Sequence, residues 1–277
     1  MPVVVAVQDT TEGEWTGHPA TTGLGPLGSP SHQGLKVHTT LAFTPERVPL
    51  GLLAQDVWAR DSEAVGQRTT RKQRRIEEEE SDKWVRSLAA GNEARHEWGH
   101  TGFISVGDRE TDVYDLFVME REAGVELLVR AAWDRGVAQG ERYLWATGLA
   151  QPVAETLAVS MPRHQEQPAR TAVLPLRYGA VELCPPQQRR HEGLAPVPVW
   201  AVPVVEAYPP VGAEPVEWLL LTTRAVGSEA DAQGRVEWYA CRFGIEVWHK
   251  VLKSGSRIEA RPLGSAERVP RASPSLV

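Results

Sequence analysis

Residues 239–255 read YACRFGIEVWHKVLKSG, and Tyr239, Arg242, Glu246 and Lys253 within them carry a phenol, a guanidinium, a carboxylate and an ammonium. At about 100° per residue these four fall within roughly 60° of one another on a helix. Cys241, Ile245, Trp248 and Leu252 take the opposite face, so the spacing predicts an amphipathic helix with its apolar stripe on a core. The ordinary use of such a polar stripe is a solvated face stitched by an Arg242–Glu246 pair at i,i+4. Two further acids raise the question of chemistry. Asp9 closes the run VVVAVQD, and Asp108 follows FISVG, each a carboxylate behind an apolar strand. Three carboxylates converging at strand ends would repel one another unless cations lay between them. Oxygen donors select Mg²⁺ or Mn²⁺, and a pair of such ions activates a water and stabilises the leaving oxygen of a phosphodiester. Composition alone does not establish that chemistry, since any chain has acids behind strands.

The elements that would position these acids are readable in outline. Residues 3–7 form a buried strand whose C-terminal edge exposes Asp9. Residues 16–34 are a loop rich in Gly, Pro, Ser and Thr. Its GLGPLG lacks the lysine and the strand-to-helix setting of a phosphate cradle. Segments 36–44 and 48–58 read as a hairpin joined at Pro45-Glu46-Arg47. The charged run RTTRKQRRIEEEES at 68–81 reads as solvated loop and helix start. Ser81 caps a helix through 88 or 89, with Trp84 and Leu88 inward. A strand at 103–107, a helix at 110–122 and a strand at 125–131 follow. Residues 136–205 alternate in short, proline-interrupted segments, the pattern of a small β insertion. The buried-strand pattern returns at 217–223, EWLLLTT, just ahead of the polar-striped helix. No internal repeat is present.

Composition narrows the class. The chain has 277 residues, 42% hydrophobic and 24% charged, which suits one large soluble domain or one core with an insertion. No run of 18 apolar residues exists, and MPVVVAVQD lacks the basic start and long apolar stretch of a signal peptide. The cysteines are Cys184 and Cys241 alone, which argues for a reducing cytoplasm and against a disulfide framework. Net charge is −6, which does not advertise a nucleic-acid binder. Residues 242–271 nevertheless carry seven Arg or Lys against three acids, a local basic surface around Glu246.

Several segments together resemble one family. GDRETDVYD at 107–115 is similar to the central motif of bacterial cut-and-paste DDE transposases of the insertion-sequence-four family, the transposon-five type. Tyr239, Arg242, Glu246 and Lys253 match that family's spacing of tyrosine, two residues, arginine, three residues, glutamate, six residues, lysine. QDTT at 8–11, KVHTTLAFTPERVPLGLL near 40, PARTAVLPLR near 170 and EWLLLTT at 217–223 look similar as well, in order along nearly the whole chain. The resemblance implies an α/β, RNase H-like mixed sheet with flanking helices, interrupted by a β-rich insertion before the last catalytic helix. The corresponding divisions are residues 1–135 for the first part of the core, 136–205 for the insertion, 206–262 for the last strand and helix, and 263–277 for a polar tail. It further implies that Asp9, Asp108 and Glu246 form the catalytic triad and bind Mg²⁺ or Mn²⁺, with Asp108 bridging the ions. Tyr239, Arg242, Lys253 and Arg170 would contact DNA. Trp218 would either stack on a flipped base or pack in the core beside Leu219 to Leu221. Arg109 and Asp112 read as supports rather than ligands.

The implied activity is metal-dependent cleavage and strand transfer on double-stranded DNA at transposon ends and in a target, in the cytoplasm near the nucleoid and away from membranes. Against the family pattern, no end-recognising helical region precedes Asp9, no helical pairing region follows, and Phe243-Gly244 stand where a second aromatic and a second arginine are usual. The expectation is therefore a truncated or decayed copy. A fragment that binds DNA, or inhibits full-length transposase by pairing with it, is the alternative. HEWGH at 96–100 also fits a zinc-hydrolase pattern, in which His96 and His100 hold the ion and Glu97 acts as base. That chemistry needs all five residues on one helix, and Gly91-Asn92, Gly99 and Gly102 argue for a loop instead.

Overall fold

A computed structural model describes residues 2–29, 31–60, 82–163, 168–262 and 264–269. The charged run at 68–81 with its Ser81 cap, and the tail PRASPSLV, lie outside the described residues. In chain order the first elements are β1 (Val3–Glu14), β2 (Gly25–Pro26), β3 (Gln33–Phe43), β4 (Pro49–Trp58), α1 (Asp82–Glu97) and β5 (Gly102–Gly107). Then come α2 (Tyr114–Val118), β6 (Val125–Arg130), α3 (Leu144–Leu149), β7 (Glu155–Met161), β8 (Arg170–Leu176), β9 (Gly179–Leu183) and β10 (Val197–Val205). Last are β11 (Glu217–Thr222), α4 (Glu229–Ala240) and α5 (Phe243–Lys250), with a π-helical turn at Val251–Gly255. This is the mixed α/β chain that the sequence predicts, mostly antiparallel in its pairings. Among the described residues no helix is long and apolar enough to cross a membrane.

The backbone divides into two compact units, Met1–Phe103 with Cys241–Val277, and Ile104–Ala240. In the first, β3 runs antiparallel to β1 on one side and to β4 and β2 on the other. The expected hairpin is the β3–β4 pair, with its turn at Arg47 in the left-handed region, φ 66°. β1 is longer than the expected strand. Asp9 lies inside it, paired with Thr39, rather than at its end. The ladder continues because Thr10 and Thr11 are β-branched and face His38 and Val37 across it. Helix α1 also outruns its expected end at 88 or 89 and reaches Glu97. Gly91 and Ala94 are buried and extend the stripe of Trp84 and Leu88 at helical spacing. Small residues on a packed face are poor breakers when the neighbour sits close. Below the outer end of β1, Trp15, Leu35, Val37, Leu252, Ile258 and Val269 form a core cluster.

In the second unit β6 lies between β5 and β11, β11 pairs with β10, and β10 with β9 and β8. β7 closes the edge on β8. The strands β7 to β10 fall within the proline-interrupted segment, which also holds α3. Leu128, Leu219, Leu220 and Leu221 are fully buried, as a strand covered on both faces requires. Helix α4 packs on β6 and β10. The helix expected over 110–122 is instead a 3-10 turn, Arg109–Thr111, followed by the short α2. Asp112 is the reason. Its carboxylate accepts the backbone N–H groups of Ala132 (2.8 Å) and Trp133 (3.2 Å) and a fork from Arg135, which holds the backbone out of helical geometry.

Candidate active site

Asp9 and Glu246 belong to the same unit and stand on β1 and α5, two elements that pack on each other. Asp9 Oδ1 accepts the N–H of Thr10 at 2.8 Å. Its Oδ2 faces His249 Nδ1 of α5 at 4.0 Å. One turn earlier, Glu246 Oε1 accepts from Arg242 Nη1 at 3.2 Å, the i,i+4 pair expected from the spacing. Burial lowers the His249 pKa to about 4, with the positive charges of Lys253 and Arg242 adding to it, so the ring is neutral near pH 7. Beneath β1 the Thr10 hydroxyl meets His38 Nδ1 at 2.9 Å, and His38 Nε2 meets Ser87 Oγ of α1 at 2.9 Å. Thr40 donates to the same Ser87 hydroxyl at 2.7 Å. His38 also stands edge-on to Trp84, centroids 4.6 Å apart. Its pKa falls to about 3, first through burial and then through the charge of Lys83.

The polar-striped helix is not one helix. α4 ends at Ala240 and α5 begins at Phe243, with a turn at Cys241–Arg242 where the chain passes from one unit to the other. The apolar stripe survives the break: Cys241, Ile245, Trp248 and Leu252 are all buried. The polar stripe does not. Tyr239 belongs to the buried stripe of α4 with Ala232, Arg235 and Val236, and is 3% exposed. Its ring meets Trp218 edge-to-face at 4.9 Å, and Trp218 is itself 5% exposed. Core packing, one of the two readings open for Trp218, is thus what the fold displays, and it takes Tyr239 along. Arg242 and Lys253 remain half-buried beside Glu246 and beyond it. Arg170, at the start of β8, is engaged bidentately by Glu206, with Nη2 to Oε2 at 2.7 Å. That pairing lowers the Glu206 pKa and raises that of Arg170.

Gly244 has a packing reason for lacking a side chain. A Cβ there would lie 2.7 Å from Cζ of Phe43, a ring only 4% exposed on β3. α5 therefore approaches the sheet as closely as a glycine allows.

Asp108 lies in the second unit, half-buried directly after β5. Its Oδ1 accepts Glu110 N at 2.9 Å and so caps the 3-10 turn. Gly107 before it admits the buried Thr111, whose hydroxyl would lie 2.2 Å from any Cβ. The Asp112 side chain is fully engaged by Arg135 and by the N–H groups of Ala132 and Trp133. His96 and Glu97 end α1, and His100 stands in the turn beyond, all exposed, so the zinc-hydrolase pattern does not share one helix. Cys184 and Cys241 form no disulfide. Among the described residues no three His, Cys, Asp or Glu side chains gather closely enough to hold a metal ion.

Two residues escaped the sequence reading. His249 lies on the edge of the polar stripe by the same helical count that selects Arg242, and its position was available there. His38 gave no signal beyond alternation within KVHTT. No protein-family model matches the chain.

Proposed function

We propose that this chain is the catalytic portion of a cut-and-paste DDE transposase, a metal-dependent enzyme of phosphodiester cleavage and strand transfer. The carrying observation is that Asp9 and Glu246, near opposite ends of the sequence, stand on two packed elements of one unit, β1 and α5. The chain order also supports an RNase H-like core: three long antiparallel strands with the two-residue β2 between the first two, a helix, a strand, a short helix and a strand, then β-rich sequence before the last helices. The donor chemistry fits hard divalent ions, since Asp9, Asp108 and Glu246 offer carboxylate oxygens and Glu246 and Asp9 are both reachable from solvent. A bound Mg²⁺ or Mn²⁺ supplies charge neutralisation at the scissile phosphate and a more acidic attacking hydroxyl. Arg242 and Lys253 lie on the same helical run as Glu246, where guanidinium and ammonium donors would hold backbone phosphates in line. End nicking, attack of the freed 3′ hydroxyl on the opposite strand, hairpin opening and strand transfer would all be in-line displacements at this one site.

A second reading has its own support. Burial of Tyr239 and Trp218 withdraws two groups that would otherwise contact DNA, which favours a non-catalytic fragment that binds DNA or inhibits full-length transposase. Nicking of supercoiled plasmid with Mn²⁺ separates the two. Asp9→Asn, Asp108→Asn and Glu246→Gln are each expected to slow conversion to open circles by about 100-fold or more, with unchanged thermal melts. Wild-type protein that nicks no faster than these variants would overturn the enzyme and leave the inert fragment.

A further inference from the structure

We infer that the indole of Trp133 is a stacking surface for an unpaired DNA base, on the loop fastened to the turn that Asp108 caps. The inference rests on the transposase reading for its ligand and goes beyond it in assigning the residue.

Trp133 is 66% exposed, on the loop directly after β6. A single exposed apolar side chain is ordinary by itself. What distinguishes this one is how firmly its backbone is held. Asp112, 3% exposed, accepts the N–H groups of Ala132 at 2.8 Å and Trp133 at 3.2 Å through Oδ2. Its Oδ1 accepts the Arg135 fork, and Arg135 Nη2 also donates to the Asp112 carbonyl at 2.7 Å. The Arg135 N–H closes back on the Trp133 carbonyl at 3.0 Å, and the Ala131 N–H is fixed on Leu219 of β11 at 2.8 Å. Asp134 is tied as well, accepting the Trp145 N–H at 2.9 Å. The backbone on both sides of Trp133 is therefore set, while its large side chain is left toward solvent. An indole has only two side-chain torsions, so one carried on a fixed backbone loses little entropy when it meets a ligand.

The place of this loop favours DNA. Asp112 ends the short turn that Asp108 begins, so one carboxylate fastens the Trp133 backbone to the segment that presents the other. Arg109, exposed in the same turn, offers a cation to an adjoining phosphate. Asp134, exposed beside Trp133, would repel a phosphate there but not the uncharged face of a base. In an intact duplex both faces of each base are already covered by its neighbours. The base that fits is therefore one at a strand end or overhang, which is what cleavage beside Asp108 would create. Every base has such a face, so the contact tolerates any sequence.

Fluorescence anisotropy of the full chain without divalent ions, so that binding is read apart from cleavage, tests the site. The labelled probe is a duplex, either blunt or carrying a short thymidine overhang. Trp133→Leu should weaken binding to the tailed duplex by about fivefold or more and leave blunt duplex unchanged. Trp133→Phe keeps an aromatic face and should recover most of that loss. Rebuilding the overhang from abasic sugars should weaken wild type by a similar factor and leave Trp133→Leu unaffected. Thermal melts of both variants should match wild type, because the ring is exposed. Equal affinity of wild type and Trp133→Leu for the thymidine overhang, or an equal response of both to the abasic one, overturns the assignment. So does a Trp133→Leu variant that binds DNA normally but loses self-association in sedimentation, which would make the indole a contact between copies. The two proposals fail differently. A Trp133-dependent preference for the thymidine overhang in a protein that nicks no plasmid leaves the stacking surface standing without the enzyme. Nicking that depends on the three acids, with no effect of Trp133→Leu on binding, leaves the enzyme and removes the stacking surface.

Discussion

At the scale of single residues, the site rests on two histidines that burial keeps neutral. His38 is 1% exposed and spans from Thr10 on β1 to Ser87 on α1, so its protonation would place a charge between two hydroxyls and beside Lys83. Its pKa is about 3 in the folded chain against 6.5 for an ordinary histidine. The folded state thus binds fewer protons than the unfolded state between those values. This contribution to stability is fully present above about pH 6.5 and is lost progressively as pH falls toward 3. Unfolding free energy should drop by about 2 kcal/mol between pH 7.5 and pH 5 on this account. Urea melts across that range should show the drop in wild type and a clearly smaller one in His38→Gln, with His249 supplying the remainder. An equal slope in both proteins would show that His38 does not carry the pH dependence. The most legible features were those with a clear period: Asp9 stands on β1, Glu246, Ile245 and Trp248 on α5, Arg242 at its N-cap and Leu252 in the π-helical turn that follows. His38 was not legible, because a histidine in an alternating strand looks the same whether it faces water or a serine.

At the scale of elements, the differences between expectation and structure have local causes. Asp112 cut short the helix expected after Asp108 by binding backbone groups of Ala132 and Trp133, partners that no local pattern discloses. Gly91 and Ala94 let α1 run on: both are buried on the stripe of Trp84 and Leu88, so packing offsets the helix propensity that Gly91 loses, and Ala94 is itself a strong helix former. The break at Cys241–Arg242 hid in a stretch whose helical count is sound on each side. Read from its own N-terminal neighbours Ala232 and Val236, Tyr239 falls on the buried stripe of α4; read from Glu246 it falls on the polar stripe. Tertiary packing chose the first. Gly244 is the packing constraint on the other side of that break, and it offers a test. Alanine would gain up to about 1 kcal/mol in helix propensity, but its Cβ would press into the buried Phe43 ring, and overpacking costs about 1–3 kcal/mol. Gly244→Ala should therefore lower stability by about 1 kcal/mol or more in urea melts. The double variant Gly244→Ala with Phe43→Leu should lose less than the sum of its parts, because the ring that clashes is gone. Additive losses would mean that α5 does not sit against Phe43 as described.

At the scale of the whole molecule, the question is how a chain of net charge −6 would hold a polyanion. Charge is unevenly spread. Residues 242–271 carry seven Arg or Lys against three acids, and the unit that contains them also presents Asp9 and Glu246. Cations around a carboxylate site are what DNA cleavage needs, since the phosphates must be neutralised where the acids would repel them. On the transposase reading, the net-acidic remainder of the chain would discourage unspecific engagement and concentrate binding on that stretch. Arg170, by contrast, is paired through both oxygens of Glu206, which would leave its charge largely neutralised toward DNA. Salt dependence measures this directly. Each phosphate contact contributes about 0.9 to the slope of log affinity against log salt on duplex DNA. Lys253→Ala and Arg242→Ala should each lower the slope by about 0.9 and weaken binding alike across duplex sequences. Arg170→Ala should leave it unchanged while lowering thermal stability, because it strands the 3%-exposed Glu206 side chain without its partner. Fluorescence anisotropy with labelled duplex between low and moderate salt reads all three. If Arg170→Ala flattens the slope and the helix substitutions do not, the DNA path runs over the second unit, and the basic stretch after Glu246 is an ordinary solvated surface.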